Sequence, residues 1–205
     1  MINRKIFFDG IRQSPFPKKL NKEQVNGINV VLDEWEARNL KDYRCLAYIL
    51  ATDKWETNHT MQPIKEIGSN AYFTKMYDIK GSRPALAKRN GNIYPGDGIK
   101  YCGKGYVQLT WRANYRRMGE LLKIDLEENP DLAMVPEIAI KILFEGMFRA
   151  ESFRGDFTGK SLEDYFNNKT TDWIGARRII NGTDKAKEIA AIAKEFYADI
   201  MFALN

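Results

Sequence analysis

The sequence predicts a mainly α protein, one domain spanning residues 1–205, with a Gly-rich loop or small hairpin inserted among its helices. Apolar residues recur every three to four positions along most of the chain, the period of a helix with one buried face. One stretch, 81–105, breaks that period with Gly81, Pro84, Gly91, Pro95, Gly96, Gly98, Gly103 and Gly105. Composition supplies the third observation. With 205 residues, 44% apolar and 29% charged, the chain is able to bury roughly 70% of its unfolded surface in one core. No internal repeat, low-complexity tract or linker divides it.

Taken in order, Asn21 and Gln24 read as a capping box, and Val25, Ile28, Leu32 and Trp35 follow at helical spacing. Tyr43, Leu46, Ala47, Leu50 and Ala51 form a second helical face running toward Trp55 and Glu56. The segment 81–105 holds too many breakers for a helix and is expected as exposed loop with a short hairpin. Pro136 suits the first position of a third helix, through Ala139, Ile142, Leu143, Gly146 and Met147. Ser161 and Asp164 open a short helix through Tyr165 and Phe166. Near the C-terminus, Asp184 is the expected cap of a helix lined by Ile189, Ile192, Ala193, Phe196, Tyr197 and Ile200. Its apolar stripe is narrow and its polar face carries both signs, which assigns it to the core rather than to a membrane surface.

Composition excludes several function classes. No run approaches about eighteen apolar residues, so no membrane span or stable membrane anchor is expected. The stretch from Met1 to Asp9 is positively charged but lacks the apolar centre of a secretory signal; synthesis in the cytoplasm is expected, with any outside target reached by another route. Cys45 and Cys102 are too few for a disulfide scaffold and lack metal-ligand spacing, so both are read as free thiols. His59 is the only histidine, which argues against a His-based metal site or triad; no cofactor is expected. The net charge of +5 and pI near 9.1 point to a polyanionic partner. Yet the basic residues come as scattered pairs, Lys18–Lys19, Lys88–Arg89, Arg116–Arg117 and Arg177–Arg178, read as solvated faces. No stripe tracks a phosphate backbone, so nucleic acid is not the expected partner.

Two segments carry candidate chemistry. Glu56 and Glu66 lie ten residues apart, which on one unbroken helix would separate them by about 15 Å. Pro63 disfavours helix just before it and Gly68 permits a tight turn, so the chain is able to fold Glu66 back toward Glu56. Cleaving a glycosidic bond needs such a pair: one carboxyl donates a proton to the leaving oxygen, and an ionised one activates water or attacks the sugar. Glu56, following Trp55 at the end of an apolar helix, suits the acid; Glu66, beside Lys65 in a polar turn, suits the ionised partner. On spacing alone the pattern is weak, and the two are more readily read as ordinary surface glutamates. The second segment, 101–115, offers Gln108, Thr110 and Asn114 as hydrogen-bonding groups and Tyr101, Tyr106, Trp111 and Tyr115 as faces for sugar rings. The plainer alternative is a Gly-containing turn entering a helix, its aromatics packed in the core. Asp97 is read as a turn-forming aspartate rather than an auxiliary carboxylate.

Together these segments resemble glycoside hydrolase family 19, the chitinase-like lysozymes that include many phage endolysins. The resemblance rests on Glu56-Thr57 after an apolar helix, on Gly103-Lys104-Gly105-Tyr106-Val107-Gln108-Leu109-Thr110, and on Asn114-Tyr115. Ile124-Asp125-Leu126 with Asn129-Pro130-Asp131-Leu132, and Ile179-Ile180-Asn181-Gly182, follow in family order. Phe7-Phe8-Asp9-Gly10-Ile11-Arg12 and Gln24-Val25-Asn26-Gly27-Ile28 are similar to phage members.

The resemblance implies a lysozyme-like fold with Glu56 as general acid, Glu66 as general base and Thr110 helping to hold the attacking water. It implies that Gln108, Asn114 and Asn181 bind sugar or support the acid, with Thr57 and Tyr106 also at the substrate. An inverting reaction follows, with carboxyls about 6.5–9.5 Å apart. Three departures stand out: Trp55 where the family usually has His, Lys104 where it has Arg, and a second glutamate in a shorter loop. The expected activity is that of a monomeric muramidase, an endolysin cutting the β-1,4 bond between N-acetylmuramic acid and N-acetylglucosamine in peptidoglycan, reached through a holin-type lesion. The alternatives are a chitinase and a non-catalytic polysaccharide-binding protein.

Overall fold

A computed structural model describes residues 1–17, 19–148 and 157–204; Lys18 of the first basic pair lies outside them. The chain divides into two compact units, Met1–Gln62 with Phe144–Asn205, and Pro63–Leu143.

The first unit is built around one helix. α1 (Arg4–Ile11) is capped by Asn3, whose side chain accepts from the Ile6 amide. α2 (Lys22–Ala37) opens on the reciprocal Asn21–Gln24 capping box that the sequence shows, burying Ile28, Val31, Leu32 and Trp35. α3 (Tyr43–Glu56), capped by Asp42, is buried continuously from Cys45 to Lys54. A helix apolar on most sides is stable only when enclosed, and α2 and α10 (Ala186–Ala203) pack against it. α10 buries Ile189, Ala193, Phe196 and Ile200, so it is a core helix. Its cap differs from expectation: Lys185, at φ 57, precedes the first turn in place of Asp184, whose carbonyl accepts from Arg177 Nε instead. Between them lie the short α9 (Leu162–Tyr165), with the Ser161–Asp164 capping box, and a 3₁₀ turn, Gly175–Ile179.

The second unit contains β1 (Ile64–Lys65), α4 (Asn70–Tyr77), α5 (Pro84–Arg89), α6 (Asp97–Lys100), β2 (Lys104–Gly105), α7 (Arg112–Leu122) and a 3₁₀ turn at Pro130–Met134. α8 (Pro136–Met147), with Pro136 at its first position, carries the chain back to the first unit. Here 81–105 departs from the expected loop, since two short helices form in it. The breakers stand at element ends rather than inside them. Pro84 begins α5, and Gly96, at φ 96, precedes α6. Two carboxylates gather the amides of this stretch: Asp97 Oδ2 accepts from Ile93 and Tyr94 (2.9 and 3.0 Å), and Asp78 Oδ2 from Gly96 and Gly98 (2.7 and 3.1 Å). Asp97 is thus the turn-forming residue its setting suggested. The expected hairpin is also placed differently, as an antiparallel ladder pairing Ile64 with Gly105 and Lys65 with Lys104. Among the described residues, no helix is long and apolar enough to cross a membrane. Cys45 and Cys102 are buried free thiols.

Candidate active site

Glu56 is the last residue of α3, and the helix stops well before Pro63 because of what Thr57 does. The Thr57 hydroxyl donates to the Asp53 carbonyl (2.7 Å) and accepts from the Met61 amide (3.0 Å), closing a turn in which Asn58, His59 and Met61 all adopt left-handed φ of 49, 69 and 55°. Such conformations are uncommon outside glycine and persist only where surrounding contacts impose them. The start of α2 imposes them here. Gln24 Nε2 donates to the His59 carbonyl (2.9 Å) and Gln62 Nε2 to the Glu23 carbonyl (2.7 Å). Gly27 has no room for a side chain, since a Cβ there would lie 1.7 Å from the Met61 carbonyl oxygen.

Arg177 holds the Glu56 carboxylate. Its Nη1 donates to Glu56 Oε1 at 2.5 Å, with the Arg177 side chain 3% and the Glu56 side chain 15% exposed. The second member of that basic pair, Arg178, is exposed as expected, but Arg177 is not a solvated residue. A guanidinium removed from water requires a carboxylate partner, and the fork geometry of Arg orients it. Sequence reasoning missed this role, although Arg177 lies only two residues before the Ile179–Gly182 block on which the resemblance drew.

Further polar groups lie behind Glu56 on α3. The Tyr48 hydroxyl, Thr52 Oγ1 and both Asp53 carboxyl oxygens are buried without a hydrogen-bond partner among the described residues. Burial pushes the Asp53 carboxyl well above the ordinary carboxylate range, against a smaller opposing contribution from Thr57. His59 is exposed; its Nδ1 lies 2.7 Å from the buried Lys54 Nζ, and partial burial together with that ammonium lowers its pKa. Asn181 is exposed, with its amide on the Arg177 carbonyl.

Glu66 sits in the second unit at the end of the β1–β2 ladder. Its amide donates to the Gly103 carbonyl (2.8 Å), and its Oε2 accepts from the Gly103 amide (3.2 Å). Its Oε1 accepts from the Tyr77 hydroxyl at 2.9 Å and the Tyr72 hydroxyl at 3.3 Å. Around it the 101–115 segment is cross-braced. Gln108, at φ 53, donates through Nε2 to the Ile64 and Gly105 carbonyls (3.0 and 3.1 Å). The Thr110 hydroxyl donates to the Gln108 carbonyl (2.7 Å), and Asn114 Nδ2 to the Thr110 carbonyl (2.8 Å). Thus Glu66, Gln108, Thr110 and Asn114 all lie on hydrogen-bonded segments of this one unit, Glu66 after β1, Gln108 and Thr110 in the loop after β2, and Asn114 in the first turn of α7.

Two residues expected at the substrate are buried in the structure. Thr57 is fully buried with its hydroxyl spent on the turn, and Tyr106 is 1% exposed. Neither side chain can touch a sugar in this structure. Tyr101 and Tyr115 are likewise core rings, their hydroxyls on the Glu127 and Cys102 carbonyls, so of the four aromatics only Trp111 is partly accessible. Lys104 is buried too, its Nζ on the Lys100 carbonyl (2.6 Å). Tyr72 and Tyr77 were not anticipated, because nothing in their spacing from Glu66 marks them.

No family model matches the chain. A stretch of 53 residues is 45% identical to Endochitinase 1 of Theobroma cacao, covering 25% of this chain and 16% of that protein. Another comparison gives 44% over 46 residues with Inactive chitinase-like protein 1 of Hevea brasiliensis, covering 22% and 15%. The matched stretches therefore span less than a fifth of those relatives. Likeness to solved structures covers nearly the whole chain. A bacterial family 19 chitinase aligns at TM-score 0.59 and 20% identity, over 97% of this chain and 94% of that one. Chitinase C from Streptomyces griseus HUT6037 aligns at 0.62 and 20%, over 98% and 76%. A mutant of a chitinase C aligns at 0.62 and 22%, over 98% and 77%. The fold is that of the family 19 chitinases. At this identity the likeness is one of fold, and the chemistry has to be argued from the residues.

Proposed function

We propose that the chain is a glycoside hydrolase that cuts β-1,4 bonds in an N-acetylated amino-sugar polymer, with Glu56 as general acid and Glu66 as general base. The observation that carries this reading is the contrast in how the two carboxylates are held. Glu66 faces two hydroxyls and an amide that all donate to it, a setting for an ionised group that only accepts. That is what a base needs in order to take a proton from water. Glu56 is fixed through Oε1 by Arg177; Oε2 is the oxygen proposed to carry the proton delivered to the leaving group, against the pull of the guanidinium toward the ionised form. In the reaction, water attacks the anomeric carbon as Glu66 removes its proton. The bond to the leaving oxygen breaks as Glu56 protonates it, and the anomeric configuration inverts. Thr110, braced beside Gln108, is the hydroxyl proposed to hold the water.

Peptidoglycan is the proposed substrate, cut between N-acetylmuramic acid and N-acetylglucosamine, because a chain of net charge +5 is drawn to an anionic wall. Chitin is the second reading, supported by the names of the structural relatives. The local match to a protein named as inactive makes catalysis itself the first thing to measure. Purified peptidoglycan and chitin oligomers are incubated side by side with the protein and with Glu56→Gln, and products are read by mass spectrometry. The proposal expects muropeptides carrying reducing N-acetylmuramic acid from the native protein and a rate at least about 100-fold lower from the variant. Faster release from chitin transfers the assignment to the chitinase, and no release from either leaves a polysaccharide-binding protein.

A further inference from the structure

Resting on the assignment of Glu66 as base, we infer that Tyr77 is its positioning residue, locked by Asn92 and Trp111 so that one phenol hydroxyl holds one carboxylate oxygen in place. Tyr77 closes α4, and the next residue, Asp78, accepts from the Lys80, Gly96 and Gly98 amides. The Tyr77 carbonyl accepts from Asn92 Nδ2 at 2.9 Å, while Asn92 Oδ1 accepts from the Arg112 amide at 2.8 Å. Buried Asn92 therefore ties the backbone of Tyr77 to the residue that follows Trp111. The rings meet as well: Trp111 and Tyr77 pack edge to face, centroids 5.1 Å apart at 87°.

Trp111 reaches that position at φ 79 and ψ 135, a backbone conformation strained for a bulky residue. Its amide is held by the Tyr101 carbonyl (3.0 Å), and its carbonyl caps α7. This conformation is fixed on both sides by those backbone hydrogen bonds. Here it seats the ring that backs Tyr77, whose hydroxyl lies 2.9 Å from Glu66 Oε1. Burial and the neighbouring carboxylate both raise the Tyr77 phenol above its ordinary range, so it stays a neutral donor. Tyr72 reaches the same oxygen from an exposed position at 3.3 Å and is the weaker hold.

The inference predicts how Tyr77→Phe behaves on the faster of two probes, solubilised peptidoglycan or an N-acetylglucosamine hexamer. A hydrogen bond to a charged group and the placement of a reacting atom are at stake, so kcat should fall about ten- to a hundredfold with KM within about twofold. The acidic limb of the pH–kcat profile should move upward, because the carboxylate has lost a donor. Tyr72→Phe should cost no more than about threefold. In a Glu66→Gln background, Tyr77→Phe should change the residual rate by less than about twofold, since it acts only through Glu66. Trp111→Phe keeps the phenol but loosens its seat, and should move the same limb in the same direction whether or not Tyr77→Phe folds well. An unmoved limb in Tyr77→Phe or Trp111→Phe, or full additivity with Glu66→Gln, overturns the inference. A Glu66→Gln variant with native activity overturns instead the assignment of the base, independently of either aromatic.

Discussion

Glu56 and Glu66 are held by different physics. Glu56 ends a buried helix and is fastened by one guanidinium that lies 121 residues later in the chain. Glu66 lies on a two-residue ladder and is held by neutral donors 6, 11 and 37 residues away. The first seat depends on a charge that burial makes costly to strand. The second depends on the aim of several weaker bonds, none of which carries the fold. Damage to the first should therefore appear in stability and activity together, and damage to the second mainly in activity.

The sharpest break in the comparison is Arg177→Leu. It leaves Glu56 largely buried without its cation, and thermal unfolding should show a loss of about 3 kcal/mol along with the loss of activity. A melting temperature equal to that of the native protein would place both seats in the same class. Next come two glycines. Gly27→Ala drives a Cβ into the Met61 backbone carbonyl at 1.7 Å, which neither α2 nor the turn after Glu56 is able to yield to cheaply. A cost of about 2 kcal/mol is expected. Gly103→Ala meets side-chain atoms rather than backbone: Gln108 Oε1 at 2.9 Å, Glu66 Oε2 at 3.2 Å and Gln108 Cβ at 3.3 Å. It should cost less than about 1 kcal/mol while lowering kcat, because the atoms that move include the proposed base. Comparable stability losses in the two variants would remove the distinction.

These contrasts also show what was legible from the residues. Local signals read correctly: the Asn21–Gln24 box, Pro136 at a helix start, the Ser161–Asp164 pair, and the apolar face that carries α3 to Glu56. Each depends on neighbours within a turn or two. Arg177 was read as solvated because its burial depends on a carboxylate more than a hundred residues earlier, which no local pattern encodes. Tyr101, Tyr106 and Tyr115 looked equally suited to a sugar face or to a core, and only packing decides. The helices within 81–105 were hidden because counting glycines and prolines ignores where they fall; at the ends of elements they start and stop helices.

The smallest expected effect separates a third region, the interior of the first unit, by its pH dependence. Asp199 packs against Gly10, and burial, with Glu195 nearby, pushes its carboxyl from 3.8 up to about 6. Asp53 is raised in the same direction by burial. A carboxyl raised in the folded state stabilises fully below its unfolded value, near pH 4, and that contribution is lost as pH rises through the folded value. For Asp199 the window is about pH 4 to 6, and its partial exposure reduces the effect to about 1 kcal/mol. Asp199→Asn should flatten the melting temperature across that window, and Asp53→Asn should remove a decline extending above it. Unchanged profiles in both variants would mean that neither carboxyl is desolvated as the fold requires.

In the proposed reaction Glu56 donates a proton while Glu66 draws one from water in a single displacement. Proton NMR of the first products released from a β-linked N-acetylglucosamine oligomer or from peptidoglycan fragments tests it most directly, before mutarotation scrambles the anomers. The new reducing end should appear first as the α-anomer, with this signal lost in both Glu56→Gln and Glu66→Gln. A β-anomer appearing first would contradict it, since retention requires a carboxylate that bonds to the sugar rather than one that activates water.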